Sequence, residues 1–176
     1  MAKELRSIDL AKARRFGNTF RFIDDLTAIN DVGEFERCFP NIYPQELELK
    51  KETVGICDVT FLDLDLTIAD RKFIIKLFDQ RDTFPFDIVR MPFILSNMPS
   101  TIFYSSIGAE ILRISRASNN VHHFIAASRT LLSRMISQGA RHHRLVRVLK
   151  KTYGRNISTF SHIASDAATF VSKLIV

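Results

Sequence analysis

Before about Pro99 the clearest apolar runs of this chain alternate, and beyond it the apolar residues recur every third or fourth position. That change of period constrains the fold more than any other feature, because alternation puts one face of a strand inward and a 3.6-residue repeat does the same for a helix. In the run Thr60–Ala69, Leu62, Leu64, Leu66 and Ile68 share one face while Asp63, Asp65 and Thr67 share the other. Asp70-Arg71 then predicts a tight turn into a second strand, Lys72–Phe78, and so an antiparallel hairpin. Leu47 and Leu49, alternating with Glu48 and Lys50, predict a further half-buried strand. Two helical stretches accompany these strands, over 2–15 with Leu5, Ile8 and Phe16 near helical spacing, and over 32–39.

After Pro99 the stripes are helical. Ile107, Ile111 and Ile114 mark one helix, with Ser100 as its expected N-cap. Phe124, Leu131, Leu132 and Met135 mark a second over 121–138, stopped by Gly139. Leu145, Val146 and Leu149 mark a third over 141–152, and Phe160, Ile163, Ala167, Phe170 and Val171 a fourth. Strands followed by a run of helices predict an α+β fold, divided into residues 1–98 and 99–176. The junction 79–100 is broken by Pro85, Pro92 and Pro99, yet its Phe84, Phe86, Ile88, Phe93 and Leu95 are too apolar for a free tether.

Charge follows the same division. Residues 101–176 hold 11 Lys/Arg against 2 Asp/Glu, so most of the basic character of the chain lies in its helical part. Such a surface favours a polyanionic partner such as a nucleic-acid backbone. The 176 residues suffice for one core, and no apolar run approaches the ~20 residues of a bilayer span, so no membrane partner is expected. Cys38 and Cys57 lack metal-ligand spacing and read as free thiols, which fits an intracellular setting, nuclear or cytoplasmic. The pairs His122-His123 and His142-His143 are adjacent on helices and point apart, which argues against chelation of one ion.

The residues that suggest chemistry are Phe20-Arg21-Phe22-Ile23-Asp24-Asp25-Leu26. A short apolar strand runs into two adjacent aspartates, and a second strand follows to Ile29. Adjacent carboxylates repel, and a hard divalent cation such as Mg²⁺ relieves that repulsion while accepting their oxygens. Asp is also a common turn residue, so the pair alone fits a solvated turn as well.

The downstream order adds to the motif. Phe22-Ile23-Asp24-Asp25 resembles the aromatic-x-Asp-Asp signature of reverse transcriptases. It is followed by Phe61-Leu62-Asp63-Leu64-Asp65-Leu66, Phe73–Asp82, Ser96-Asn97-Met98-Pro99, Leu112-Arg113-Ile114-Ser115-Arg116 and Met135-Ile136-Ser137-Gln138-Gly139. Over roughly residues 5–155 the chain resembles the later part of retroelement reverse transcriptases of the Penelope-like and related non-LTR kind. The resemblance implies a polymerase palm fragment with antiparallel hairpins, followed by an all-helical, thumb-like subdomain. It implies two-metal nucleotidyl transfer with Mg²⁺, in which Asp24 and Asp25 are the catalytic metal ligands and Phe22 packs beneath the turn. It places Lys50 or Lys51 near the incoming phosphates, and Arg113, Arg116, Arg134, Lys150 and Lys151 on the phosphates of the template–primer.

The implied partners are an RNA or DNA template with its primer, and deoxynucleotide triphosphates. A third partner is the upstream palm and fingers half of the polymerase, which in that family supplies a further Asp. Asp9 lies in a helical stretch and is the wrong element for that ligand. The chain is therefore expected to be inactive alone. Two other readings stay open, a non-catalytic nucleic-acid-binding remnant of a retroelement and a helical interaction protein.

Overall fold

The structure is a computed structural model that describes residues 14, 16–29, 33–51, 57–86, 88–91 and 93–175. The class is α+β, with antiparallel hairpins followed by helices. The chain forms two compact units, Met1–Leu62 and Asp63–Val176, so residues 63–98 belong to the unit that carries the main helices. The expected helix over 2–15 lies outside the described residues, Arg14 apart.

Unit 1 is built on an aromatic ladder. Strands β1 (Thr19–Phe22) and β2 (Asp25–Ala28) pair antiparallel, with Thr19 opposite Ala28 and Phe22 opposite Asp25. Helix α1 (Glu34–Ile42) places Phe35 and Phe39 one turn apart, and Tyr43 follows at the same spacing. Phe16 meets Phe35 edge-on at 6.2 Å, Phe35 meets Phe39 at 6.1 Å, and Phe39 stacks on Tyr43 at 4.7 Å. Strand β3 (Asp58–Phe61) ends the unit. The strand expected at Leu47–Lys50 does not form, and those residues are irregular and exposed. Their alternation spans only four residues, and among the described residues no strand pairs with them.

Unit 2 opens with the hairpin of β4 (Leu64–Ala69) and β5 (Lys72–Leu77), in register from Leu64–Leu77 to Ala69–Lys72. Its turn is Asp70-Arg71, as expected, with φ of 50° and 60°. Positive φ at both central residues is the mark of a type I′ turn, whose twist matches the flanking strands. The expected single strand Thr60–Ala69 is instead interrupted at Leu62-Asp63, where Leu62 takes φ 56°.

The helices are α2 (Ser100–Arg116), α3 (Val121–Ser137), α4 (His142–Arg155), α5 (Ile157–Phe160) and α6 (Ala167–Leu174). Pro99, not Ser100, occupies the N-cap of α2. Asn120 caps α3 by accepting from the His122 amide at 2.8 Å. Gly139 ends α3 with φ 94°, the left-handed conformation a glycine stop supplies. The expected fourth helix is two, because Asp166 starts α6 afresh, its Oδ1 accepting from the Ala168 and Thr169 amides.

The core follows the predicted stripes. Ile107, Ile111 and Ile114 are buried on α2, and Phe124, Leu132 and Met135 on α3. Phe124, Tyr153, Phe160 and Phe170 form an aromatic cluster with centroids 4.7 to 6.4 Å apart. The Tyr153 hydroxyl donates to the Ala164 carbonyl at 2.9 Å, so this buried phenol has its partner. Among the described residues no helix is long and apolar enough to cross a membrane.

Candidate metal hairpin and basic helix face

In unit 1 the reversal of the β1–β2 hairpin is the two-residue turn Ile23-Asp24. Asp25 is already the first residue of β2, opposite Phe22. Asp24 and Asp25 are thus neighbours at the tip, one in the turn and one on the strand, both exposed. Neither makes a hydrogen bond or ion pair among the described residues. Phe22 is 53 % exposed, so it does not pack beneath the turn as the resemblance implied. Beside Asp25 it forms part of an open face.

Arg21 braces this tip. Its Nε donates to the Ile23 carbonyl at 2.7 Å and its Nη1 donates to the Tyr43 hydroxyl at 3.2 Å. Its guanidinium also lies 5.2 Å from the centre of the Tyr43 ring. The turn carrying Asp24 is therefore tied to the end of the aromatic ladder. Sequence reading missed this brace; the available signal was an arginine two residues before the turn and a tyrosine one helical spacing beyond Phe39.

Two exposed carboxylates offer hard oxygen donors. Mg²⁺ is commonly held by one or two carboxylates, with water and substrate phosphates completing its shell. The pair fits that role for an ion arriving with a phosphate-bearing substrate. No group of three or more His, Cys, Asp or Glu able to hold a metal occurs among the described residues. Lys51 is ion-paired with Glu36 at 3.1 Å, and Lys50 is exposed.

In unit 2 the predicted basic residues separate into two groups. Arg113 pairs with Glu110 at 2.9 Å and with Asp63 at 3.1 Å. Arg134 pairs with Asp79 at 2.8 Å and with Asp82. These two guanidiniums are engaged within the fold. Asp79 also accepts from Arg81 Nε at 2.7 Å. The Arg81 hydrogen bonds lead, against a cost of burial, in holding the Asp79 carboxyl down at about 2, and Arg134 adds to the effect.

Arg116, Lys150 and Lys151 are exposed and make no ion pair among the described residues. On α4, Leu145, Leu149, Thr152 and Tyr153 face inward. Arg144, Arg147, Lys151 and Arg155 recur at i, i+3, i+7 and i+11 on the opposite face, with Lys150 beside them. Arg144 is steered by Ser100 Oγ at 3.4 Å and by the Tyr104 ring. The carboxylates of residues 101–176 are both spent, Glu110 on Arg90 and Arg113, Asp166 on capping α6. The α4 face therefore presents positive charge with no acidic residue on its own helix.

No family model matches this chain, and neither does any curated protein or solved structure.

Proposed function

We propose that this chain is part of an RNA-directed DNA polymerase. In this reading unit 1 carries the aspartate pair of a nucleotidyl-transfer site, and the α4 face of unit 2 grips the phosphates of a template–primer duplex. The observation that carries it is the Asp24–Asp25 pair, exposed and without partners among the described residues, on a turn that Arg21 ties to Tyr43 by hydrogen bonds. Two adjacent carboxylates left open to solvent stabilise nothing in the fold that the structure describes. They suit a cation delivered with a nucleotide. When bound, Mg²⁺ supplies charge neutralisation at the reacting phosphate. In this reading Asp24 and Asp25 would hold it, and Arg21 would fix where they do so. The further carboxylate of such a site belongs, in this reading, to the upstream palm.

The second reading is a nucleic-acid-binding remnant without catalysis. It is favoured by the absence of a third metal-ligating side chain near the pair among the described residues, because the α4 face needs no metal.

Mn²⁺, as a paramagnetic stand-in for Mg²⁺, separates the two. With a primer–template duplex and a deoxynucleotide triphosphate present, Mn²⁺ should selectively broaden the amide NMR signals of residues 22–26. The double substitution Asp24→Asn, Asp25→Asn should abolish that broadening and leave duplex binding intact. Duplex binding with no localised broadening would leave only the remnant reading.

A further inference from the structure

Thr53, Ser137 and Ser158 each follow a basic residue by three positions. A protein kinase with an acidic substrate groove reads that spacing, because an arginine there gives charge-assisted hydrogen bonds to the carboxylates of the groove. Thr53 lies outside the described residues. The structure separates the other two. Ser137 ends α3, and its hydroxyl donates to the Arg134 carbonyl at 2.7 Å. The Arg134 guanidinium is held by Asp79 at 2.8 Å and by Asp82. A kinase reading Ser137 has to break both sets of contacts.

Ser158 carries neither obstacle. It is exposed, and its hydroxyl makes no hydrogen bond among the described residues. Arg155 is exposed as well and makes no ion pair among them. Ser158 sits in α5, which is a single turn, and Asn156 before it has φ −135° and ψ 44°, so α4 has already ended. The backbone bonds of this turn run from the Thr159 and Phe160 amides to the Asn156 carbonyl and from the Ser161 amide to the Ile157 carbonyl. Drawing residues 155–158 into the extended form that a kinase binds is therefore a local opening. It leaves Leu145 and Leu149, the buried residues of α4, in place.

We propose that Ser158 is a phosphorylation site for a serine/threonine kinase that selects basic substrates, and that its phosphate weakens the grip of the α4 face on polyanions. In the transfer the Ser158 hydroxyl oxygen bonds to the γ-phosphorus of ATP. The bond from that phosphorus to the β,γ-bridging oxygen breaks, ADP leaves, and the hydroxyl proton passes to the catalytic carboxylate of the kinase. The new group carries about −1.5 to −2 charge and accepts strongly from guanidinium. Three residues span at most ~11 Å, so the phosphate reaches Arg155. That pairing removes one cation from the face and sets negative charge at its C-terminal end. The modification site stands by itself, whereas the weakened grip rests on the reading of the α4 face as a phosphate-binding surface.

The test uses the full chain with ATP, Mg²⁺ and a calmodulin-dependent protein kinase of the kind that selects arginine three residues before its acceptor. Fragmentation mass spectrometry should place phosphate on Ser158 and none on Ser137. Ser158→Ala should lose that phosphate, and Arg155→Ala should slow its transfer by about tenfold, the scale of a lost hydrogen bond to a charged group. The phosphorylated chain should bind a primer–template duplex about tenfold more weakly at about 0.1 M salt, the worth of one phosphate contact there. No phosphate on Ser158, as much on Ser137, or transfer indifferent to Arg155 would overturn the site. Equal duplex affinity before and after transfer would overturn the weakening. An unmodified chain that binds no duplex would overturn the α4 reading and the weakening with it, while the mass spectrum still decides the site.

Discussion

Ile23 has φ 53° in the turn that carries Asp24, while the other central residue keeps negative φ. This sign pattern is that of a type II′ turn, where glycine is the usual first central residue. A β-branched residue there is strained, by roughly 1–2 kcal/mol in the left-handed region. Its side chain is 73 % exposed, so little burial offsets the strain. Ile23→Gly should therefore stabilise the hairpin, by about 0.5–1 kcal/mol after the extra chain entropy of glycine. Amide hydrogen exchange across Thr19–Ala28 should slow a few-fold. Unchanged or faster exchange would mean that Ile23 makes contacts that repay its backbone. The same substitution should loosen metal binding at Asp24 if the isoleucine restricts the turn to the conformation that Arg21 grips.

At the scale of elements, Gly108 shows why α2 and α4 approach closely. A Cβ at this position would lie 2.8 Å from Thr152 Oγ1. Thr152 is buried, so it has little room to yield. Gly→Ala inside a helix is worth about 1 kcal/mol in propensity, whereas overpacking costs about 1–3 kcal/mol. Gly108→Ala should thus destabilise unit 2 in urea denaturation, and combining it with Thr152→Ala should recover stability past the Thr152→Ala single variant. Simple additivity would show that the approach is not the constraint. Helix stripes such as Ile107, Ile111 and Ile114 were legible because each samples one face over several turns. The break at Leu62-Asp63 was not, because a two-residue turn without glycine preserves the alternation that signals a strand. Asp166 was similarly hidden, its acceptance of the Ala168 and Thr169 amides visible only in the structure. Asp24 and Asp25 were legible as a pair at a hairpin tip. The Arg21 brace was not, since it depends on residues brought together from separate positions. Asn119 is another such case, its side chain bonding both the Ile75 amide and the Phe73 carbonyl of β5.

Over the whole molecule, the charge that matters is what remains after internal pairing. In the sequence alone Arg113, Arg116, Arg134, Lys150 and Lys151 are equivalent candidates for phosphate contact. The ion pairs of Arg113 and Arg134 set those two apart, because moving them to phosphate would strand Glu110, Asp63, Asp79 or Asp82. Arg116 and the α4 residues Arg147, Lys150, Lys151 and Arg155 carry no such obligation among the described residues. If roughly four of these reach phosphates, log K for duplex should fall with log salt at a slope of about −3 to −4, from ~0.9 counterions released per contact. Lys150→Ala with Lys151→Ala should flatten the slope by about 2 and weaken unrelated duplexes alike. Arg113→Ala should change that slope little and instead lower stability, since it leaves the part-buried Glu110 with Arg90 alone. Fluorescence anisotropy with two unrelated primer–template duplexes over a salt series measures all three. A slope indifferent to Lys150 and Lys151, or binding confined to one duplex sequence, would show that the α4 face does not contact the backbone.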